Sequence, residues 1–425
     1  MLKHSLLYIS YYFPPIKSIA VKRNYFFAMG LRHYFEDVRI LTTTNYKVLE
    51  QEEMQLDGLT VRPLTTFDYR TVLAKFRKNK NTHFSENYKK NWLVSTLIKL
   101  NETFPFNLFM GEGGLIYIWN GYNEGKRYIS SQKVHHIITS YRPFANVFIG
   151  YLLKIKYKEL VWIVNFHDFP IDEIRKNVYF QPLQEWVWKK MLNQSNHCIT
   201  VSKGVENHIR KLSPNVTTIM NGVMIRKSAN SHNKKFRIVY TGSLYHNLSK
   251  PELLFKVVRV LLRSGYFLKE DIEIVYAGKD ANLWNLLVCE FELENVFTNL
   301  GNLTSQEAMA VQDSAQINVL LTWASVYQSG VITGKFYEYL GSTNPILAII
   351  NGVLDNEIKQ LFDELKCGKV VATDDANSES QMRDFLLTQF NAWKNNTLPE
   401  SYIAHLTSFS WEKQIEKVAD LMFQH

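Results

Sequence analysis

From Ser5 to Ala372, apolar runs of strand length alternate with amphipathic stretches of helix length, and few folds accept that alternation. The strand-like runs are 5–12, 37–43, 59–64, 135–140, 160–166, 196–201 and 216–220, then, after a polar stretch, 237–241, 272–277, 296–300, 317–322, 346–350 and 369–372. Helix-like segments such as 21–33, 184–192, 251–263 and 356–365 lie between them. Strands that are apolar almost throughout, rather than at every second residue, belong to sheets covered on both faces, and helices supply the cover. Such sheets are parallel. The polar segment Lys227–Lys235 has no apolar periodicity and reads as a linker, giving two doubly wound α/β domains in series, residues 1–226 and 235–408.

With 425 residues, 46% hydrophobic and 21% charged, the chain can fill two full cores. Its longest apolar stretches run about nine or ten residues, as around Ala145–Leu153, against the roughly 20 that a membrane-spanning helix needs. Three widely spaced cysteines, Cys198, Cys289 and Cys367, argue against a disulfide framework or a cysteine zinc site and point to the cytoplasm. The net charge of +9 is uneven: residues 1–226 hold 31 Lys and Arg against 17 Asp and Glu, the remainder 18 against 23. Much of the excess falls in Lys75–Lys99, where cations mix with Phe76, Phe84, Tyr88 and Trp92. That mixture suits an anionic membrane surface or a solvated insertion. No nucleic-acid motif accompanies it, so nucleic acid is not expected as a partner.

In doubly wound sheets ligands bind beyond the carboxyl ends of the strands. The candidates therefore lie in the loop with Pro15, Lys17 and Ser18 ahead of Arg23, at His167-Asp168, at Gly242-Ser243 with Lys250 downstream, at Gly278, and in the segment TGKFYEYLGSTNPILAI from Thr333. In that last segment Thr333 is placed to cap a helix, and Gly334 lets a ligand approach its N–H groups. Lys335 and Glu338, three apart, share a face. A cation at a helix N-terminus suits a phosphate, and a carboxylate one turn later suits a sugar hydroxyl. Together they fit a nucleotide-sugar.

The order of these loops resembles the retaining glycosyltransferases of the GT-B fold, the large family-4-like group that includes bacterial capsule, O-antigen and exopolysaccharide enzymes. The likeness is carried by YYFPP with Arg23, GLRHYFEDVRILTT, WIVNFHDFP, NHCITVSKGVENHI with VTTIMNGV, YTGSL, YAGKD, LGNLTSQEAM and TGKFYEYLGSTNPILAI, closing on FSWEKQIEKVADLMFQ. It implies two Rossmann-like domains facing a cleft. The N-terminal domain would hold the acceptor, the C-terminal one the nucleotide-sugar, and residues 409–425 would form a helix returning to the N-terminal domain. Glu338 aligns with the second glutamate of the family's paired-glutamate motif, which holds the donor ribose. The first glutamate is replaced by Gly330, and the arginine expected after Gly242 by Ser243. Acceptors in such pathways are commonly sugars on a polyprenyl diphosphate, which would bring the basic domain to the inner face of the cytoplasmic membrane.

Sugar transfer builds negative charge on the departing diphosphate, and fixed donors stabilise it best. Lys250 and Lys335 are expected to supply them, with no metal: Asp374-Asp375 reads as a turn. His167 is expected to hydrogen-bond the transferred sugar or the acceptor, with Asp168 fixing its tautomer or the neighbouring backbone. Two other readings remain. A sugar-nucleotide epimerase would need a carboxylate pair that Gly330 makes less suitable. A catalytically degenerate subunit of a polysaccharide assembly complex would need neither Ser243 nor Gly330 to be otherwise.

Overall fold

The computed structural model describes residues 4–424 except 18, 50, 53, 72–91, 110, 173–175, 227–232, 245–247, 327–328, 331 and 398–402. Two sheets form, each wholly parallel. The first runs in the order β3-β2-β1-β4-β5-β6-β7, with β1 Ser5–Ile9, β2 Val38–Thr43, β3 Thr60–Leu64, β4 Val134–Tyr141, β5 Val161–Phe166, β6 His197–Thr200 and β7 Val216–Thr218. The second runs β10-β9-β8-β11-β12-β13, with β8 Phe236–Thr241, β9 Ile272–Ala277, β10 Phe297–Asn299, β11 Ile317–Ala324, β12 Ile346–Gly352 and β13 Gly368–Ala372. In both, strand order reverses beside the first strand. That leaves a switch point between β1 and β4 in one unit and between β8 and β11 in the other, where a crevice forms beyond the strand ends.

Burial explains the apolar runs. Every residue of β1, β5 and β11 is buried, as parallel strands covered on both faces require. Each strand-like run contains a strand, with ends shifted by a few residues. The largest shift is in β1, which stops at Ile9 rather than Tyr12. After Ser10 N–H donates to Leu41 O at 2.9 Å, the Ser10 hydroxyl turns onto Tyr12 O at 2.9 Å and the chain leaves the sheet.

The chain divides into two compact units, Met1–Met220 with Trp411–His425, and Asn221–Ser410. Asn221–Arg226 thus belongs to the second unit, where Val223 N–H bonds Phe409 O and Arg226 pairs with Asp313 at 2.8 Å. Residues 227–232 of the linker segment lie outside the described residues. Helix Trp411–Phe423 packs in the first unit: Trp411 stacks on Phe26 at 4.5 Å, and Met422 O lies 3.0 Å from His136 Nε2. Of the basic aromatic segment, residues 75–91 lie outside the described residues, and helix Trp92–Glu102 follows.

One buried carboxylate locks the end of the first sheet. Glu206, on helix Lys203–Arg210, accepts from Lys203 Nζ at 2.8 Å, Thr218 N at 2.9 Å and Thr218 Oγ1 at 2.5 Å, and pairs with Arg210. Burial pushes this carboxyl up, but the hydrogen bonds from Lys203, Thr218 and Arg210 outweigh it and hold it at about 2. A depressed carboxyl stabilises the fold above its ordinary value of 4.5 and loses that contribution as pH falls from there to about 2. Glu206→Gln should therefore lower the urea midpoint at pH 7 and converge on the parent protein toward pH 2. Equal midpoints at pH 7 would refute the lock.

Candidate active site

In the second unit, the switch point brings together residues from three βα turns and one helix. Lys335, in the first turn of helix Gly334–Ser342, points back over the end of β8. Its Nζ donates to Tyr240 Oη at 2.7 Å and Ser243 O at 3.2 Å, and lies 4.4 Å from the centre of the Tyr240 ring. Tyr240 Oη in turn donates to Ser243 O at 2.8 Å. Burial pulls the ammonium down to about 8, against the opposing pull of the Glu338 and Asp280 carboxylates. Gly242 has φ +117°, and a Cβ there would collide with the Lys335 side chain, so the turn must be glycine for the lysine to lie where it does.

The turns are tied to one another. Gly242 N–H donates to Ala277 O at 2.6 Å, and Gly278 N–H donates to Gly301 O at 2.7 Å. Asp280 accepts from Leu244 N–H at 2.6 Å while its own N–H reaches Tyr276 Oη at 2.7 Å. Glu338 stands one helical turn beyond Lys335. Its Oε2 accepts from Gln312 Nε2 at 3.4 Å, and its carbonyl from Arg226 Nη2 at 3.0 Å. Gln312, almost fully buried, also reaches Thr241 Oγ1 at 2.9 Å. The result is a preset cation, a helix N-terminus and a carboxylate around a glycine turn.

Gly330, where a glutamate was expected, is buried with φ +73°, a conformation costly for a side chain other than glycine. Its N–H donates to Asp355 Oδ2 at 2.5 Å, while Asp355 Oδ1 caps helix Asn356–Leu365 through Glu357 N at 2.9 Å and Ile358 N at 3.2 Å. Asp355 was missed in the sequence. A D-N-E start before an amphipathic helix marks a cap, but nothing marks its second partner. One expectation needs correction. Thr333 holds the N-cap backbone position without a side-chain cap, because Phe336 N–H goes to the Thr333 carbonyl at 3.1 Å and Thr333 Oγ1 has no hydrogen-bond partner. Lys250 is exposed beside Pro251. Asp375 sits in a turn, accepting from Asn377 N–H at 2.9 Å and Gln381 Nε2 at 3.0 Å.

In the first unit, the switch point is built on Asn24, which is fully buried. Its Oδ1 accepts from Tyr8 Oη at 3.0 Å, Ser140 Oγ at 2.8 Å and Asn165 Nδ2 at 3.3 Å. Its Nδ2 donates to Ser10 Oγ at 2.9 Å and Tyr12 O at 3.2 Å. Ser140 links this hub to His167, whose Nδ1 lies 3.4 Å from Ser140 Oγ. Burial, then the guanidiniums of Arg23 and Arg142, depress the imidazole to about 3 against the pull of Asp168. The ring is neutral across ordinary pH and can hydrogen-bond a hydroxyl. Asp168 accepts from Phe169 N–H at 2.9 Å and lies 3.2 Å from Arg142 Nε, so it orders the neighbouring backbone; Ser140 is the group at Nδ1.

Arg23 is buried rather than displayed, donating from Nε to Asn165 Oδ1 at 3.0 Å and stacking on Phe27 at 4.4 Å. It reaches the site as a charge felt by His167. Lys17 is exposed, Pro15 sits in the turn before it, and Ser18 lies outside the described residues. A small cavity of about 60 Å³ opens beside Arg142, lined by Tyr69, Asn107, Glu112, Tyr141 and Phe144 among others. Arg142 is held there by Glu102 at 3.0 and 3.3 Å, and Glu112 pairs with Arg70.

No family model and no curated protein matches the chain. Solved structures do. A sucrose-phosphate synthase from Thermosynechococcus elongatus is similar over 99% of this chain and 99% of its own, at 14% identity and a TM-score of 0.63. A glycosyltransferase from Rickettsia africae is similar over 100% and 99%, at 12% identity and a TM-score of 0.62. The Anabaena protein HepE, in complex with UDP and glucose, is similar over 99% and 100%, at 10% identity and a TM-score of 0.60. At such identities the likeness speaks for the fold: the chain has the α/β GT-B fold, two Rossmann-like domains in series.

Proposed function

We propose that the chain is a glycosyltransferase, moving a sugar from a nucleotide-sugar to a saccharide acceptor with retention of configuration. The acceptor is lipid-linked and the product a bacterial surface polysaccharide. The observation that carries this reading is Lys335, lodged over the Gly242 turn at a helix N-terminus with Glu338 one turn on. As the bond to the sugar breaks, charge grows on the diphosphate. Lys335 and the helix N–H groups neutralise it without a metal, and Glu338 takes the ribose hydroxyls. HepE, with its UDP and glucose, supports that assignment by its fold.

On the first unit, the neutral His167 imidazole orients a hydroxyl of the acceptor. The basic residues of that unit bring it to an anionic membrane.

Incubating the protein with UDP-, GDP-, ADP- and dTDP-sugars, with and without lipid-linked saccharide, tests the reading. Nucleoside diphosphate release that requires acceptor and survives a chelator supports it. Interconversion of the sugar without acceptor indicates an epimerase, and no release at all a binding subunit. His167→Ala should bind donor as the parent does while transfer falls about 10²-fold, the scale of a lost transition-state hydrogen-bonding group. Unchanged transfer would remove His167 from the site.

A further inference from the structure

One carboxylate, distant in sequence, grips the turn that carries His167 from two directions. Glu102 ends helix Trp92–Glu102. Its Oε1 accepts from Arg142 Nη1 at 3.0 Å and its Oε2 from Arg142 Nη2 at 3.3 Å, a two-pronged pairing that fixes the plane of the guanidinium. The Nε edge of Arg142 then lies 3.2 Å from Asp168 Oδ2. Glu102 Oε2 also accepts from Asn177 Nδ2 at 2.6 Å. Asn177 in turn takes the Asp172 N–H on its Oδ1 at 2.7 Å and reaches Pro170 O at 3.4 Å. Asp168, Pro170 and Asp172 are thus each one side chain removed from Glu102.

Packing does not supply this order. The cavity of about 60 Å³ beside Arg142 is lined by Glu102 itself, with Tyr141 and Phe144, and leaves the arginine room to move. The carboxylates on either side select its position, and Glu102 engages both of its Nη atoms. The mount of Glu102 is firm. Thr103 Oγ1 accepts from Tyr179 N–H at 2.9 Å, and the Gln184 side chain bonds Phe104 N and O at 2.8 and 3.0 Å. The imidazole is less firmly held from its own side, since Ser140 Oγ stands off at 3.4 Å, a long contact. Its place therefore depends on the backbone that carries it.

We infer that Glu102 is a positioning residue for the transfer: through Arg142 and Asn177 it holds the 168–172 turn, and with it the His167 imidazole, where the acceptor hydroxyl is met. It touches no reacting atom. The inference rests on the role given to His167 above, and a misplacement of about 1 Å in such a group costs up to about 10²-fold. Glu102→Gln tests it in the whole protein. The variant keeps the size of the side chain, but a carboxamide turns its NH2 toward a donor and can satisfy Arg142 or Asn177, not both. Hydrogen exchange read by mass spectrometry should quicken about tenfold over residues 167–172, with strand 161–166 at the parent rate. With the nucleotide-sugar and lipid-linked saccharide that the parent turns over, kcat should fall about tenfold while UDP affinity by calorimetry is unchanged. Glu102→Gln/His167→Ala should transfer no more slowly than His167→Ala, because positioning a missing ring gains nothing; a separate structural lesion would add its own loss. Parent-like exchange over residues 167–172 overturns the inference, as does a double variant that falls about a further tenfold below His167→Ala. A parent that transfers no sugar fails the sugar-transfer reading instead, and the exchange rates still decide whether Glu102 holds the turn.

Discussion

Lys335→Ala will lose about 10²- to 10³-fold in turnover while its melting temperature stays level or rises. The first effect follows from removing a cation built over the β8 turn, where a fixed charge meets the departing diphosphate. The second follows from the sign of its titration. Burial depresses this ammonium from 10.5 to about 8, so at neutral pH the folded chain holds a charge that the unfolded chain would hold at less cost. Removing that charge lifts this cost, which offsets the loss of the Lys335 hydrogen bonds to Tyr240 and Ser243. The same value sets a pH test: UDP affinity of the parent, measured by calorimetry, should fall as pH rises through about 8, because the ammonium loses its proton there. Lys335→Arg should bind independently of pH over that range, since a guanidinium stays charged. An alanine variant with near-parent turnover would detach Lys335 from the chemistry.

Asn24→Leu will destabilise the first unit by at least about 3 kcal/mol. The amide makes five hydrogen bonds inside a buried hub, and leucine, of similar size, makes none. Each buried group left unpaired costs about 1–3 kcal/mol, with part recovered by relaxation. Tyr8, Ser10, Ser140, Asn165 and the Tyr12 carbonyl all lose a partner. Urea unfolding of the parent and variant measures it. A loss below about 1 kcal/mol would mean that the hub rewires around the vacancy. Because Ser140 also faces His167, the variant should lose transfer under conditions where it remains folded.

The strand pattern was legible because parallel strands under two layers of helix leave an unbroken apolar run, which survives as a one-dimensional signal. The shared face of Lys335 and Glu338 was legible for a related reason: Gly334-Lys335 and Glu338 lie within one turn, so sequence spacing is spatial spacing. Contacts across βα units were not. Nothing in the neighbourhood of Asn24 announces that it will meet Ser140 and Asn165, more than a hundred residues away. Nor does anything beside Arg23 announce that Asn165 and Phe27 draw it inside. Gly330 stood out by what it lacked. Its positive φ and its bond to Asp355 give the glycine a backbone reason of its own.

The first unit closes with helix Trp411–Phe423, which covers Phe26 and Phe27 and meets His136. Its core is therefore discontinuous along the chain, although the second unit is continuous from Asn221 to Ser410. During synthesis the first unit is begun before the second and completed after it. While the second unit emerges and folds, one face of the first stays uncovered, with aromatic residues open to water or to a chaperone. The order of translation thus makes the second unit the earlier one to mature, and the final helix decides when the first is complete.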